Sequence, residues 1–144
     1  MTNAGSGKSR PTDPPNARYL GHNFGAAGEH FVRAVLEGIG VYTSMAPASV
    51  GYDIAAYAAD HWVRVQVKAT SVIGNDGRFN FKTYRRPSRH PLTTADCDVV
   101  ALVALPIRLV AFRNVRQVRG KTFKLTPSKF SLEAEQSSWE HAIK

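Results

Sequence analysis

The sequence predicts an α/β or α+β domain, a sheet with helices packed on it. Three observations carry that prediction. A helical apolar period opens the ordered part of the chain, several short alternating or apolar strand segments follow, and a second helical period closes it. The 144 residues fit one domain, and a domain of that length can bury its own core.

Residues 1–18 form a tail. They are rich in Gly, Ser, Asn, Thr and Pro, with Pro11, Pro14 and Pro15 close together, and hold almost nothing that could enter a core. Gly5-Ser6-Gly7-Lys8-Ser9 falls short of a phosphate-binding loop, because the first glycine is missing at the required spacing and no strand precedes it. The folded domain runs from Tyr19 to Lys144. From Asn23, a suitable N-cap, to about Glu37 the pattern is helical, with Phe24, Phe31 and Val35 on one face and Ala27 and Leu36 beside them. Gly38 and Gly40 are its stop. Gly25 and Gly28 cost propensity, but glycines on a helix face also allow close packing.

Val41–Ser44 is a short strand. After the loop 46–51, Tyr52–Ala58 and Trp62–Ala69 form a hairpin. Gly74-Asn75-Asp76-Gly77 is a turn, and Arg78–Tyr84 alternates with Phe79 and Phe81 on one face. Residues 85–94 are basic and contain proline, hence a loop. Val99–Leu105 and Arg108–Phe112 read as a buried strand pair broken at Pro106, and Phe123–Leu125 as a last short strand. Ser131 caps a C-terminal helix whose predicted buried face is Leu132, Gln136, Trp139 and Ile143.

Charge narrows the function. Lys and Arg number 19 against 11 Asp and Glu, a formal net charge of +8. Twelve basic residues fall between Arg78 and Lys129, opposed only by Asp96 and Asp98. Such a surface attracts polyanions, of which nucleic acid is the commonest, though a merely solvated basic face has the same composition. Lys82, Arg85, Arg86, Arg89, Arg113 and Arg116 are the candidate nucleic-acid contacts. No basic amphipathic helix points to a membrane surface. No apolar run approaches the ~18–20 residues that span a bilayer, and the N-terminus lacks a secretory core, so the expected location is the cytoplasm. A single cysteine, Cys97, excludes an internal disulfide framework and a cysteine-based zinc cluster, and is expected to be a buried small residue. His22, His30, His61, His90 and His141 show no paired ligand spacing. Asp96 and Asp98 flank a strand start and are expected to be turn residues.

The hairpin carries the candidate chemistry. With Ala59 and Asp60 as its two central turn residues, Asp53 lies across from Gln66 and Tyr57 across from Trp62. Alternation then puts Asp53, Ala55 and Tyr57 on one face with Trp62, Arg64, Gln66 and Lys68. Ile54, Ala56, Val63, Val65 and Val67 make the core face, and a one-residue slip would reverse that burial. Directly opposed Cβ atoms lie ~4.5–5.5 Å apart, close enough for a carboxylate and an amide oxygen to reach one small cation. Mg²⁺ or Mn²⁺ suits such hard oxygen ligands. Lys68 could hold the attacking water or neutralise a scissile phosphate, and Glu29 would add a second carboxylate if the first helix packs at the hairpin. One Asp, one Gln and one Lys on a solvated sheet face are also an ordinary surface.

Gly28-Glu29, Gly51-Tyr52-Asp53-Ile54 and Val65-Gln66-Val67-Lys68-Ala69-Thr70 resemble the core of the PD-(D/E)XK nucleases. The similarity runs from about Gly21 to Tyr84 and is nearest to the group I intron homing endonucleases of that superfamily; archaeal Holliday-junction resolvases share the layout. The resemblance implies a restriction-endonuclease-like core of α-β-β-β order, with a central mixed sheet flanked by helices, spanning residues 19–144. It implies a Mg²⁺- or Mn²⁺-dependent DNA endonuclease in which Asp53 binds metal, Lys68 is the motif lysine and Glu29 is an accessory ligand. Gln66 stands where the family usually has a second acid, as in the intron-endonuclease branch, and removes one negative charge. Gly51-Tyr52 replaces the proline-type approach to the aspartate. Size and resemblance imply a homo-oligomer, most simply a two-fold dimer whose sites match two antiparallel strands. The competing function is a nucleic-acid-binding module, or a component of a nucleoprotein assembly, with this fold and no catalysis.

Overall fold

The computed structural model describes residues 24–144; the tail assigned to residues 1–18, the domain start at Tyr19 and the cap Asn23 lie outside them. Helix α1 (Phe24–Gly38) buries Gly28, Val32 and Leu36, one residue per turn. Phe31 and Val35 flank that stripe, while Ala27 is exposed. The buried stripe is therefore rotated from the one predicted, because the helix meets the sheet at its glycine. A Cβ on Gly28 would stand 3.2 Å from Ala69 Cβ and 3.3 Å from Val67 Cγ1. The helix ends where Gly40 adopts φ +93°, with Val41 N donating to Leu36 O at 2.9 Å and Gly40 N to Glu37 O at 3.1 Å. That paired closure needs a left-handed residue, which glycine supplies.

Strands β1 (Tyr42–Met45), β2 (Ile54–Ala58) and β3 (His61–Thr70) form an antiparallel meander. Tyr57 pairs with Trp62 and Ile54 with Val65, the expected register. Ala59 and Asp60 have φ of 53° and 65°, as a two-residue turn matched to strand twist requires.

The chain then leaves this sheet. Strand β4 (Phe79–Lys82) joins no neighbour there; it pairs with β7 (Thr122–Leu125) in a separate two-stranded ribbon. The main sheet resumes with β5 (Val99–Ala104), parallel to β3, and β6 (Leu109–Asn114), antiparallel to β5. The result is a five-stranded mixed sheet of order β1-β2-β3-β5-β6.

The two faces of the sheet differ. Ile54, Val65, Val99, Val103 and Phe112 pack with both helices into one core. Val100, Leu102, Ala104 and Ala111 form a second core with Phe79, Phe81 and Phe130 from the ribbon side. That cover does not extend over the outer strands of the meander, where Tyr42, Tyr57 and Trp62 stay exposed.

Helix α2 (Leu132–Ala142) begins at Ser131, whose Oγ accepts from Ala134 N at 3.0 Å, as the capping pattern predicts. Its buried face follows the sequence expectation at Trp139 and Ile143, which pack on the core, and departs from it at the other two positions. Leu132 is 77% exposed and Gln136 is exposed, whereas Glu135, Trp139 and Ala142 are buried. The reason is the edge of β6. Glu135 Oε2 accepts from Val110 N and Ser138 Oγ from Phe112 N, both at 3.0 Å, so the helix turns polar groups inward to satisfy a strand edge. No helix among the described residues is long and apolar enough to cross a membrane.

Candidate functional site

Asp53 stands one residue before β2. The paired ladder begins at Ile54↔Val65, and the Asp53 N–H donates to that same Val65 O at 2.9 Å, so Asp53 steps out of the regular register and meets Gln66 through its side chain. Asp53 Oδ2 accepts from Gln66 Nε2 at 3.0 Å and from Val67 N at 2.8 Å. The carboxylate thus takes a backbone N–H that a longer β2 would have paired. Gln66 Oε1 is buried and has no hydrogen-bond partner among the described residues. Lys68, on the same face, sends Nζ to Tyr84 O at 3.0 Å. This joins the hairpin to the chain leaving the ribbon.

Burial governs the electrostatics here. It raises the pKa of Asp53, against the Val67 N–H and the Lys68 charge, which lower it. Burial also raises the pKa of Glu29, and the negative charge of Asp53 adds to the rise. α1 therefore brings Glu29 within electrostatic reach of Asp53. Lys68 is lowered, chiefly by burial and further by Arg86, with Asp53 opposing. Burial thus opposes ionisation of both carboxyls, and the Asp53 carboxylate lies against the Gln66 amide. Among the described residues no three His, Cys, Asp or Glu side chains are grouped so as to hold a metal ion.

Two cavities flank Lys68. One, of about 490 Å³, is lined by Phe24, Thr70, Asn80, Lys82 and Arg86 as well as Lys68. The other, of about 430 Å³, is lined by Ser49, Gly51, Gln66, Arg85 and Arg86 together with Lys68. Lys68 and Arg86 line both, so the two cavities adjoin at these side chains and together make a trough with a divide between its halves.

The expected basic contacts separate into two groups. Lys82, Arg85 and Arg86 line the trough. Arg89 lies near them, its guanidinium 5.7 Å from the Tyr84 ring centroid, with that of Arg86 at 5.8 Å. Arg113 and Arg116 are not brought to this group. Arg113, half-buried at the far edge strand, donates to Phe112 O at 2.8 Å. Arg116 lines a different cavity, with His61, Thr94 and Asn114.

Asp96 and Asp98 do more than shape turns. Asp96 is buried and accepts from Thr93 N at 2.9 Å and from Arg85 at 2.9 Å. Asp98 Oδ2 accepts from Arg64 N at 2.8 Å, and its Oδ1 from the Arg64 guanidinium at 3.0 Å. Asp96 thereby fixes Arg85, whose guanidinium would lie 3.8 Å from a Cβ built on Gly51. Sequence reasoning missed this role; the available signal was an acid isolated inside a basic stretch. Cys97 is buried, and burial pushes its thiol up to about 12, so it is a core residue.

No protein-family model matches this sequence, and neither does any curated protein. Among solved structures the chain is similar to a bacterial homing endonuclease, I-Ssp6803I, with a TM-score of 0.63 and 14% identity over 83% of this chain and 88% of that one. At that identity the likeness is one of fold: a mixed sheet flanked by helices, common to both chains.

Proposed function

We propose that this chain is a divalent-metal-dependent endodeoxyribonuclease of the PD-(D/E)XK type, using Mg²⁺ or Mn²⁺. The observation that carries the reading is the buried Gln66 Oε1, which has no hydrogen-bond partner among the described residues and belongs to the amide whose Nε2 meets Asp53 Oδ2, with Lys68 on the same face. A buried acceptor left unpaired costs about 1–3 kcal/mol. A hard cation shared with Asp53 removes that cost. Asp53, Gln66 and Glu29 would hold it. The fold shared with a homing endonuclease adds support.

A cation at these oxygens supplies a lowered water pKa and a polarised phosphoryl oxygen. The residues of the chain do the rest. Lys68 exchanges its bond to Tyr84 O for a non-bridging phosphate oxygen and stabilises the charge that builds as water adds to phosphorus. The P–O bond to the leaving sugar oxygen then breaks, the attacking water loses a proton and the leaving oxygen gains one. Arg85, held by Asp96, and Arg86, at the divide, bind flanking phosphates. Cutting both strands requires two such sites of matching polarity, which a two-fold homodimer provides.

Incubation with supercoiled, linear and branched DNA in Mg²⁺ or Mn²⁺ tests the reading. The expected result is metal-dependent nicking that chelation stops, slowed about 100-fold or more in Asp53→Asn and Lys68→Ala. Cleavage by both variants at the parental rate would sink the assignment and leave a basic binding domain.

A further inference from the structure

We infer that the β4–β7 ribbon is the element that reads base sequence, through the major groove of duplex DNA beside the trough. The inference rests on the proposed action on DNA and adds to it the source of specificity.

The ribbon is two-sided. Phe79 pairs with Leu125 and Phe81 with Phe123, and these point inward. Phe79 meets Phe130 edge to face, with ring centroids 5.5 Å apart. Thr83 closes the base of the ribbon, its N donating to Lys121 O at 2.9 Å and its Oγ1 to Gly120 O at 3.0 Å. The outward face is then Asn80 opposite Lys124 and Lys82 opposite Thr122, all four exposed.

A two-stranded ribbon fits the ~12 Å major groove. The outward side chains suit base edges. Asn80 carries a donor and an acceptor on one amide, the pair that matches adenine. Lys82 donates to guanine acceptors, and Thr122 offers a hydroxyl and a methyl group. Lys124 is committed elsewhere, to Asp76 at 3.3 Å, and Arg78 pairs with the same carboxylate at 3.0 Å. Asp76 thus withdraws two cations from phosphate binding and leaves Asn80, Lys82 and Thr122 as the polar groups of that face with no side-chain partner among the described residues.

Position selects the occupant. Asn80 and Lys82 line the 490 Å³ cavity that Lys68 and Arg86 also line. A duplex whose phosphate lies at Lys68 therefore presents neighbouring base pairs to the ribbon. The anchored Phe face keeps the readers rigid, as discrimination between bases requires.

The test is selection of duplexes from a randomised library by the full chain, in chelator so that cutting plays no part. The parent should enrich a consensus. Asn80→Ala should lose preference at one position, with affinity for the parental consensus falling roughly 5- to 150-fold. Thr122→Ala should relax a different position. A parent that enriches no consensus overturns the inference, as does a consensus that survives both substitutions. A loss uniform across sequences also overturns it, since that marks phosphate contact alone. Cleavage in Mg²⁺ is scored separately. A consensus sensitive to Asn80 in a protein that cuts nothing upholds the ribbon and refutes the nuclease.

Discussion

Gln66 turns its amide nitrogen to Asp53, Nε2 lying 3.0 Å from Oδ2, while its own Oε1 stays buried without a partner among the described residues. Rotating that amide would set two oxygens face to face, an arrangement that becomes favourable only when a cation or a proton lies between them.

Metal binding should therefore stabilise the fold. A ligand at a hundred times its Kd adds about 2.7 kcal/mol. Melting followed against Mn²⁺ or Mg²⁺ should rise with concentration in the parent and stay flat in Asp53→Asn. Gln66→Glu, which restores a second carboxylate, should retain the rise. A parent whose melting ignores both ions would mean these oxygens do not form a cation site.

Without metal, Asp53 should cost stability at neutral pH. Its folded pKa is raised by burial, and that of Glu29 is raised as well. A raised carboxyl contributes its stability in full below the unfolded value. That contribution is lost as pH rises through the folded value, when the buried group must ionise. Asp53→Asn removes the charge and keeps the shape. Its Oδ1 can accept from Val67 N while its amide donates to a rotated Gln66 Oε1. In chelator the variant should melt at or above the parent at pH 7, and the difference should close below the ordinary aspartate pKa. A variant that melts well below the parent at pH 7 contradicts this account of the site.

The same shifts bound the pH range of cleavage. Asp53 must be ionised to hold metal, so at limiting metal the acid limb should lie above the ordinary aspartate range and should move down as the metal concentration rises. Lys68 must be charged to meet phosphate, and burial with Arg86 lowers its pKa, so the alkaline limb should lie below the ordinary lysine range. Lys68→Arg should move only the alkaline limb, upward, because guanidinium keeps its proton. An alkaline limb indifferent to that change would remove Lys68 from the charge balance.

Why some of this was legible in the sequence and some was not follows from the range of each interaction. The hairpin register from Ile54↔Val65 to Ala58↔His61 could be read because Ile54, Ala56, Val63 and Val65 must share one face; the departure at Asp53, whose N–H turns to Val65 O, could not. The alternation of Phe79 and Phe81 announced a buried face, but nothing local said that β4 would leave the main sheet and pair with β7, about forty residues on. The parallel β3–β5 pairing was hidden for the same reason. On α2 the apolar period finds Trp139 and Ile143 but cannot anticipate that Glu135 turns inward to satisfy Val110 N, leaving Leu132 and Gln136 outside. For the cations, composition located the basic stretch, while strand order decided that Arg86 joins Lys68 and Arg116 does not.

Two glycines on α1 should respond to substitution with opposite signs. A Cβ on Gly25 meets nothing within 4 Å among the described residues, so Gly25→Ala should gain about 0.5 kcal/mol from helix propensity, less than the mid-helix value because it lies in the first turn. Gly28 touches β3, and a Cβ there would press on Ala69 Cβ, which cannot rotate away, and on Val67 Cγ1. Gly28→Val adds bulk beyond that Cβ and should lose about 1–3 kcal/mol through overpacking. The consequence reaches the site, because Glu29 is the next residue on the helix and Val67 donates the N–H that holds Asp53. Lifting α1 off β3 moves Glu29 away from the Asp53 carboxylate. Gly28→Val should then cut more slowly than its stability loss explains, and more Mn²⁺ should be needed to reach half of its maximal rate. Denaturant melts combined with cleavage rates across a metal titration separate the two effects. A Gly28→Val protein with parental stability and parental metal dependence would show that the close approach of α1 to β3 does not position Glu29.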